Sequence, residues 1–357
     1  MGLSHVSKIG WLRIEYNFSP MPAAFQPLSE IDPEELVEYL GREGNSAEAV
    51  RWKYFDSRFN RGRERGYAWV KDGKIGGFLG LVPFHIAAPG RTIESAWTCD
   101  WSVQDPTARG VGILLIRQAQ ERYEYLTQLG GNDATQRIVS RLSSKTVNDA
   151  GIVFHLPLRL GAALRVARRK MPKFPVDVIG PLNRIPLRLP SRPDSDAVQF
   201  ESGVSQVIDS FLDPAERGEI YARYDFDYVR WQIADCPFLF AETCYLPDAS
   251  APRAAALLWR ERASTDFWRI AIWSKSGAET EAEIILSSVV RRIYEKLGFI
   301  ASIVVSRLDA NVLDLLRKKG FVAAPRRRPL HIIVRKKETV PELWPLSYLD
   351  TDYAYRF

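Results

Sequence analysis

The chain has 357 residues, of which 26% are charged, and Lys and Arg together outnumber Asp and Glu by 49 to 43. This length exceeds what one ordinary hydrophobic core serves, so we expect two domains. The mild positive excess permits an anionic ligand, but it does not require nucleic acid, which we do not expect as a partner. The chain shows no apolar run of membrane-spanning length and no cysteine pattern that would bind metal, so we expect a cytoplasmic protein without a metal site.

Strand and helix patterns alternate through the first half. Asp32 is a good helix N-cap and Pro33 fits the first helical position, so a helix is predicted over 33–42. Asp72-Gly73 is typical of a two-residue hairpin turn between strands. The other elements predicted in this half are strands at Tyr67–Lys71, Lys74–Ala88, Ile93–Val103, Tyr125–Leu129 and Ile152–Leu156, and helices at Gly110–Arg122 and Ala134–Leu142.

The loop Thr107-Ala-Arg-Gly-Val-Gly112 lies between a predicted strand and a predicted helix. A glycine loop at this position directs backbone N–H groups outward at a helix N-terminus, where the helix dipole also favours negative charge. Side chains at Gly110 and Gly112 would block close approach of a ligand to the backbone. The sequence therefore predicts an anion site here, with phosphate as the expected anion.

The second half repeats the first at one offset of 179 positions. Val50–Asp56 recurs as Val229–Asp235, Lys74–Leu79 matches Arg253–Leu258, and Phe59 falls on Phe238. A repeat unit of this length is a whole domain and not a solenoid element. The later elements predicted in this half are helices at Glu281–Leu297 and Asn311–Lys319 and strands at Ser302–Val305 and His331–Val334.

A Pro- and Arg-rich segment separates the two halves. We divide the chain into an N-terminal domain (1–158), a linker (159–199), a second domain (200–338) and an aromatic tail (339–357). The basic stretch at 160–170 is expected to be a solvated face, with a short amphipathic helix on an anionic membrane as the alternative. The tail is expected to pack on its own domain or on a second subunit, and the oligomeric state stays open.

The order of elements and the glycine loop resemble the GNAT superfamily of acyl-CoA-dependent N-acyltransferases, in its tandem two-domain form. The family loop reads Gln/Arg-x-x-Gly-x-Gly/Ala, so both glycines match and Thr107 departs, while Arg109 could supply the missing charge. The chain is also similar to members found with bacterial polysaccharide biosynthesis, which carry a Trp-Lys/Arg-Tyr-Phe opening like Trp52–Phe55. The resemblance covers about 30–157 well and 200–336 more weakly. It implies an α/β fold with a mixed sheet, two GNAT-like domains and a degenerate second copy.

The resemblance also implies acetyl-CoA or another acyl-CoA as co-substrate, bound by the first half. Its pyrophosphate would lie on the amides of the loop, and its pantetheine arm would extend the strand before the loop. The residues implied in CoA binding are Trp101, Ser102, Val103, Arg109, Gly110, Val111, Gly112, Ile113 and Asn132; Asn132 also fits as the N-cap of a helix. In the second half, Glu279 and Glu281 stand at the matching point and would repel phosphate.

The implied reaction is direct attack of a primary amine on the thioester, which needs a base. Asp100 is the candidate base or amine-binding group, with a buried structural carboxylate as the alternative. The position of the usual tyrosine acid holds Ile138, so the candidate acids are Tyr125 and Tyr123, each with a packed aromatic as the alternative. His85 and Trp97 are candidate substrate contacts, with core positions as the alternative.

Strand alternation predicts that Cys99 faces away from Asp100 and is a core residue.

The function that the resemblance implies is N-acyl transfer to a small-molecule amine, with an amino sugar as one candidate acceptor. Three alternatives remain open at this point. They are a non-catalytic tandem binding module, an aminoacyl-tRNA-dependent transferase and a peripheral membrane protein.

Overall fold

The computed structural model describes residues 23–60, 62–105, 107–129, 131–161, 184–187, 198–212, 221–247, 252–264, 266–275, 277–306, 310–324 and 328–335. The predicted tail and nearly all of the predicted linker, including the basic stretch at 162–170, lie outside these residues. The division into domains therefore stays a prediction.

Strands account for much of the described chain. They are β1 (Ala23–Pro27), β2 (Gly66–Lys71), β3 (Lys74–Ala88), β4 (Arg91–Val103), β5 (Tyr125–Leu129), β6 (Lys145–Pro157), β7 (Gln199–Ser202), β8 (Tyr221–Arg223), β9 (Leu239–Tyr245), β10 (Ala254–Glu261), β11 (Phe267–Ser274), β12 (Ile300–Ser306), β13 (Val322–Ala323) and β14 (Arg328–Val334). Within the described residues they form one sheet in the order β1-β2-β3-β4-β5-β14-β6-β12-β11-β10-β9-β7, with β8 beside β3 and β13 beside β6.

The helices of the described residues lie between these strands. They are α1 (Pro33–Gly41), α2 (Ala47–Val50), α3 (Ser57–Asn60), α4 (Val111–Arg122), α5 (Asp133–Leu142), α6 (Asp209–Leu212), α7 (Phe226–Val229), α8 (Glu279–Glu295) and α9 (Ala310–Lys318). The pairs β4–β5 and β11–β12 are parallel, and the other strand pairs are antiparallel. The predicted α/β class with a mixed sheet is confirmed.

Several helices and strands begin or end where nearby residues predicted that they would. The Asp32 carboxylate accepts a hydrogen bond from the Glu34 amide at 2.9 Å, which caps α1. Asp72 and Gly73 both have positive φ, 50° and 71°, as a two-residue hairpin turn of the I′ type requires. The Asn132 side chain accepts from an amide of the first turn of α5 at 2.8 Å, so its predicted capping role is confirmed.

The internal repeat is visible in the backbone. Helix α2 runs into a π-helical turn at Arg51–Phe55, and α7 runs into the same kind of turn at Arg230–Ala234. Each of these elements lies 179 positions from its counterpart. Such π turns are rare and mark local strain or function. Their recurrence at the offset read from the sequence supports the repeat.

The two halves exchange strands near their ends. Strand β14 lies between β5 and β6, pairing Ile332 with Thr127 on one side and with Lys145 on the other. The later part of β6 lies instead against β12, from Gly151 to Pro157. The sheet of each half is therefore completed by a strand from the other half. The sequence predicted β6 only from Ile152, because its first part lacks apolar alternation.

The largest hydrophobic cluster draws on both halves. It includes Trp52, Phe59 and Trp97 from the first half and Trp231 and Trp259 from the second. Phe59 stacks on Trp231 with ring centroids 4.3 Å apart. Aromatic pairs of this kind add to the stabilisation from burial, so the halves share a core and do not merely touch.

Candidate active site

A β-bulge in β4 presents Asp100. The pairing of β3 with β4 shifts register between Phe78 and Gly80, so that Asp100 and Trp101 lie opposite a single residue of β3. Asp100 has a φ of 43°, in the left-handed region that Asp tolerates better than most residues. Bulges of this kind redirect a side chain and are frequent beside active sites.

The Asp100 carboxylate is held by Lys53 and Tyr54. Its Oδ2 lies 2.6 Å from the Lys53 Nζ, and the Tyr54 hydroxyl donates to the same oxygen. The side chains of Lys53 and Asp100 are each only 6% exposed, so water screens the pair weakly. Burial, and then the negative charge of Asp100, hold the pKa of Tyr54 well above its ordinary value, so this hydroxyl stays protonated.

The π-helical turn that carries Lys53 and Tyr54 is fixed by Arg65. The guanidinium of Arg65 donates to the carbonyl oxygens of Lys53 and Leu81. The lack of a side chain at Gly80 leaves room for the Tyr54 hydroxyl, because a Cβ at Gly80 would lie 2.1 Å from that oxygen. Sequence reasoning missed Lys53 and Tyr54 as site residues. The sequence did contain one indication of a buried charge pair. Lys53 lies among aromatic residues, which are usually buried, and lysine is rarely buried without a charged partner.

A small cavity of about 110 Å³ opens beside the carboxylate. It is lined by Asn45, Ala49, Val50, Lys53, Tyr54, Asp100 and Phe238. One end is therefore polar and the walls are mainly apolar. Phe238 belongs to the second half, so both halves build this cavity.

The predicted phosphate loop follows the bulged strand. The Asp105 carboxylate accepts from the Thr107 amide at 2.7 Å and from its hydroxyl at 2.6 Å, and these bonds lower the pKa of Asp105. The Asp105 carbonyl also accepts from the Ala108 amide at 3.1 Å. Asp105 thus shapes the start of the loop, a role that the sequence analysis did not assign.

Two amides of the loop remain open to a ligand. The amides of Arg109, Val111 and Ile113 donate to carbonyls within the loop and first helical turn, at 3.0, 3.3 and 3.0 Å. The amides of Gly110 and Gly112 have no hydrogen-bond partner in the described part of the chain. Gly110 has a φ of 85° and precedes α4. The anion-binding capacity is thus concentrated on the two glycines of the motif.

The strand before the loop separates from its parallel neighbour. Strands β4 and β5 pair over Ser95–Trp97 and Tyr125–Thr127 and part beyond those residues. An extended ligand could pair with the backbone of β4 in this opening. The predicted contacts Trp101, Ser102 and Val103 lie on this stretch.

The side chains of this stretch have defined neighbours. A Cβ at Gly112 would lie 3.1 Å from the Trp101 ring, so strand and helix meet closely here. The Ser102 hydroxyl lies 3.1 Å from the Tyr39 hydroxyl on α1. Val103 and Arg109 are exposed beside the loop.

In the second half, an ion pair of the protein itself lies at the position equivalent to the glycine loop. Arg253 pairs with Glu281 at 2.7 Å in the first turn of α8, and it donates to the Gly277 carbonyl at 2.8 Å. The register of β10 with β11 also runs without a shift from Ala254 to Trp259. The described part of this half thus has no counterpart of the bulge between these two strands.

Tyr125 and Trp97, which the sequence predicted as catalytic and substrate-binding residues, lie away from Asp100. Tyr125 is buried in the core opposite Ser95, five residues before Asp100 on β4, which is about 16 Å along a strand. Trp97 is fully buried and stacks on Phe84 with centroids 5.0 Å apart. Neither is placed to meet a substrate at Asp100, because each side chain packs into the core shared by the two halves.

His85 also lies far from Asp100 along β3. It pairs with Glu94 across the hairpin, and its Nε2 accepts from Arg63. Burial, followed by the Arg63 charge, lowers the pKa of His85. The geometry gives His85 no contact with the cavity beside Asp100.

The predicted separation of Cys99 from Asp100 is wrong. The Tyr54 hydroxyl reaches the Cys99 sulfur at 3.6 Å as well as the Asp100 carboxylate. The bulge breaks the alternation of side chains, so neighbouring residues reach the same tyrosine. Cys99 is nevertheless a buried member of the core, as predicted.

No group of three or more His, Cys, Asp and Glu side chains in the described residues is arranged to hold a metal ion. None of the described helices is long and apolar enough to cross a membrane. The site consists of a buried carboxylate, lysine and tyrosine at one end of a cavity, with the carboxylate on the strand that leads into the glycine loop.

Comparisons with known proteins place the fold. No family model and no curated protein matches the chain. Among solved structures, a GCN5-related N-acetyltransferase from Anabaena variabilis ATCC 29413 matches with a TM-score of 0.58 and 13% identity, over 88% of this chain and 73% of that one. Saccharomyces cerevisiae N-myristoyltransferase with bound myristoyl-CoA matches with a TM-score of 0.54 and 11% identity, over 87% and 79%. Both matches span the two halves of this chain, and at these identities the likeness shows the fold: the chain has the fold of the GCN5-related N-acetyltransferases.

Proposed function

We propose that the protein is an acyl-CoA-dependent N-acyltransferase built from tandem copies of this fold, with the acyl-CoA on the first half. Acetyl is the proposed acyl group, and a small-molecule primary amine is the proposed acceptor, with an amino sugar as one candidate. The three cysteines are free, in keeping with the reducing bacterial cytoplasm that we propose as its compartment.

The observation that carries the proposal is the pair of open amides at Gly110 and Gly112. They lie at the N-terminus of α4, a twelve-residue helix whose dipole adds to their attraction for an anion. The parted edge of β4 lies immediately before them. A pyrophosphate joined to an extended amide-bearing arm suits this combination, and CoA has both parts.

In the proposed reaction the amine nitrogen attacks the thioester carbonyl carbon, and the carbon–sulfur bond then breaks. Starting from the ammonium form, the nitrogen loses two protons; the departing thiolate gains one of them and solvent takes the other. Asp100 would hold the incoming ammonium, accept its first proton and pass it to solvent, and solvent would also carry the second proton to the thiolate. Lys53 pairs with the carboxylate and the Tyr54 hydroxyl donates to it, so both hold it in place for the incoming ammonium.

A specific observation favours a second candidate, a module that binds acyl-CoA without turnover. The buried Lys53 already occupies the position beside Asp100 that an acceptor ammonium would take. In that case acetyl-CoA would bind, but no amine would release free CoA from it.

Calorimetry with acetyl-CoA tests the proposal directly. We expect the unmodified protein to bind and Gly110→Glu to lose at least tenfold in affinity, because a carboxylate beside the open amides repels phosphate. Gly90→Glu is the matched control. Gly90 also has positive φ, 76° against 85°, and a Cβ there meets nothing within 4 Å, as at Gly110.

Absence of binding by the unmodified protein would refute the proposed function. Equal loss in both glycine variants would show that backbone strain, and not charge in the loop, lowers the affinity. Release of free CoA in the presence of amines then separates the transferase from the binding module.

A further inference from the structure

The second half contributes an apolar wall to the cavity beside Asp100. Phe238 lies in the loop between the second π-helical turn and β9, and its side chain lines the cavity opposite residues of α2. Its repeat counterpart, Phe59, is buried in the shared core and stacks on Trp231. Phe238 packs against the outside of the same cluster and also lines the cavity, whereas Phe59 lies within the cluster.

The backbone of Phe238 is fixed on both sides. Its carbonyl accepts from the Arg262 amide at 2.7 Å, and the next amide, that of Leu239, donates to the Cys236 carbonyl at 3.2 Å. Cys236 itself is fully buried. A ring on so constrained a loop can set the size of the cavity and not merely adapt to what enters it.

The cavity is small and graded in polarity. Its volume of about 110 Å³ is below the roughly 150 Å³ of an engineered cavity that admits benzene. Ala49, Val50 and Phe238 form apolar walls, while Lys53 and Asp100 form a buried polar end. A group that fits has a narrow apolar stem of a few carbons and a polar tip that shares the Asp100 carboxylate with Lys53.

We infer that Phe238 is a specificity-determining residue, which restricts the acceptor to a primary amine on an unbranched carbon chain. This inference rests on the proposed function, since the cavity becomes the acceptor site only if acyl transfer occurs beside Asp100. The second half thus selects the acceptor, while the first half binds the acyl-CoA. A branched carbon next to the nitrogen needs more of the small cavity volume that the Phe238 ring helps to limit.

Two probe amines of the same size test this inference. n-Propylamine has an unbranched stem and isopropylamine is branched at the amine carbon. Binding of each is followed by NMR titration without acyl-CoA, and transfer is followed by release of free CoA from acetyl-CoA. We expect the unmodified protein to prefer n-propylamine at least tenfold in both measurements.

Substitutions at Phe238 then move this preference. Phe238→Trp should fill the cavity and weaken the binding of n-propylamine at least tenfold. Phe238→Ala should enlarge the cavity and bring the affinities for the two amines within threefold of each other. Phe240→Ala, on β9 outside the cavity lining, should keep the original preference. The affinity for acetyl-CoA, measured on every variant, should stay within threefold and shows that each variant is folded.

The inference fails if Phe238→Trp and Phe238→Ala bind acetyl-CoA normally and keep the original preference between the amines. It also fails if the unmodified protein does not distinguish the two amines. Loss of acetyl-CoA binding in the unmodified protein is a separate result, because it refutes the proposed function while the NMR titration still reports on the cavity.

Discussion

Trp52 and Trp231 stack on each other with ring centroids 5.0 Å apart and planes inclined by 19°. They are equivalent residues of the two repeats, each in its own π-helical turn. Arg65 lies over Trp231 at 4.5 Å and also donates to the Lys53 carbonyl. The contact between the halves is therefore linked directly to the turn that carries Lys53.

Removal of the Trp231 ring should destabilise the whole protein. Trp231→Ala deletes a side chain that is 2% exposed, and large-to-small core changes of this kind cost about 3–5 kcal/mol. Urea unfolding followed by circular dichroism measures the change. Trp273→Ala, at a partly buried tryptophan on the edge of the same cluster, should cost less. An equal loss in both variants would contradict the central place given to the stacked pair.

Gly80→Ala should disturb the site without removing any functional group. The new methyl group would lie 2.1 Å from the Tyr54 hydroxyl oxygen, so the tyrosine must leave Asp100. We expect destabilisation of about 1–3 kcal/mol by overpacking and a fall in acyl transfer, with acetyl-CoA affinity retained.

The double variant Gly80→Ala with Tyr54→Phe separates steric from other effects. Removing the hydroxyl relieves the shortest contact, so the two changes should be non-additive in unfolding free energy. Gly41→Ala is the control, because a Cβ there meets nothing within 4 Å. Strict additivity would argue against the placement of Tyr54 against Gly80.

Asp100→Asn should abolish most transfer and also lower the stability of the fold, because the buried Lys53 loses its charged partner. Asn tolerates positive φ as Asp does, so the bulge is kept, but the group can no longer accept a proton or pair with an ammonium. Loss of a positioned base costs about 10²–10⁴-fold in rate, measured as release of free CoA. Asp72→Asn, at a hairpin residue with a φ of 50°, repeats the same chemical change away from the site. Full turnover by Asp100→Asn would exclude the carboxylate from the reaction.

Stability should fall as the pH drops below about 6.5, the ordinary pKa of histidine. His331 on β14 lies between the Thr146 hydroxyl at 3.0 Å and the Gln136 side-chain oxygen at 2.6 Å, and burial lowers its pKa. The unfolded chain then binds a proton that the folded chain resists, so unfolding becomes easier with acid. The pKa of His85 is lowered too, so it contributes in the same direction.

His331→Gln should make this decline shallower, by at most about 1.4 kcal/mol per pH unit, the limit for one proton. The measurement is the urea-derived unfolding free energy at intervals from pH 7.5 to pH 5. Lys145→Gln, on the strand paired with β14, is the control variant, because it keeps both His331 and His85. An unchanged slope in His331→Gln would assign the acid sensitivity to other groups.

Much of the fold followed from local chemistry that the sequence displays. The Asp32 cap, the Asp72-Gly73 turn and the glycine loop each depend on a few adjacent residues, and the structure places all three as expected. The repeat was also readable, because its offset is a property of the sequence alone. The strand exchange was not readable, because the neighbour of a strand depends on tertiary packing.

The site was only half readable, for a physical reason. Asp100 was found because it stands near the loop, but its partners Lys53 and Tyr54 come from a turn that precedes it by more than forty residues. The bulge that brings these groups together arises from the pairing of β3 with β4. Regular strand alternation, which ignores the bulge, predicted the wrong side of the sheet for Cys99. Tyr125 was chosen as an acid because it lies nearby in sequence, and its position on β5 does not support that role.

The insertion of β14 between β5 and β6 has a consequence for biosynthesis. A ribosome releases the chain from its first residue onward, so the first half emerges long before the strand that closes its sheet. Until then the facing edges of β5 and β6 expose unpaired backbone groups, which invite pairing with another nascent chain. We therefore expect the two halves to mature together at the end of translation and the nascent first half to depend on chaperones.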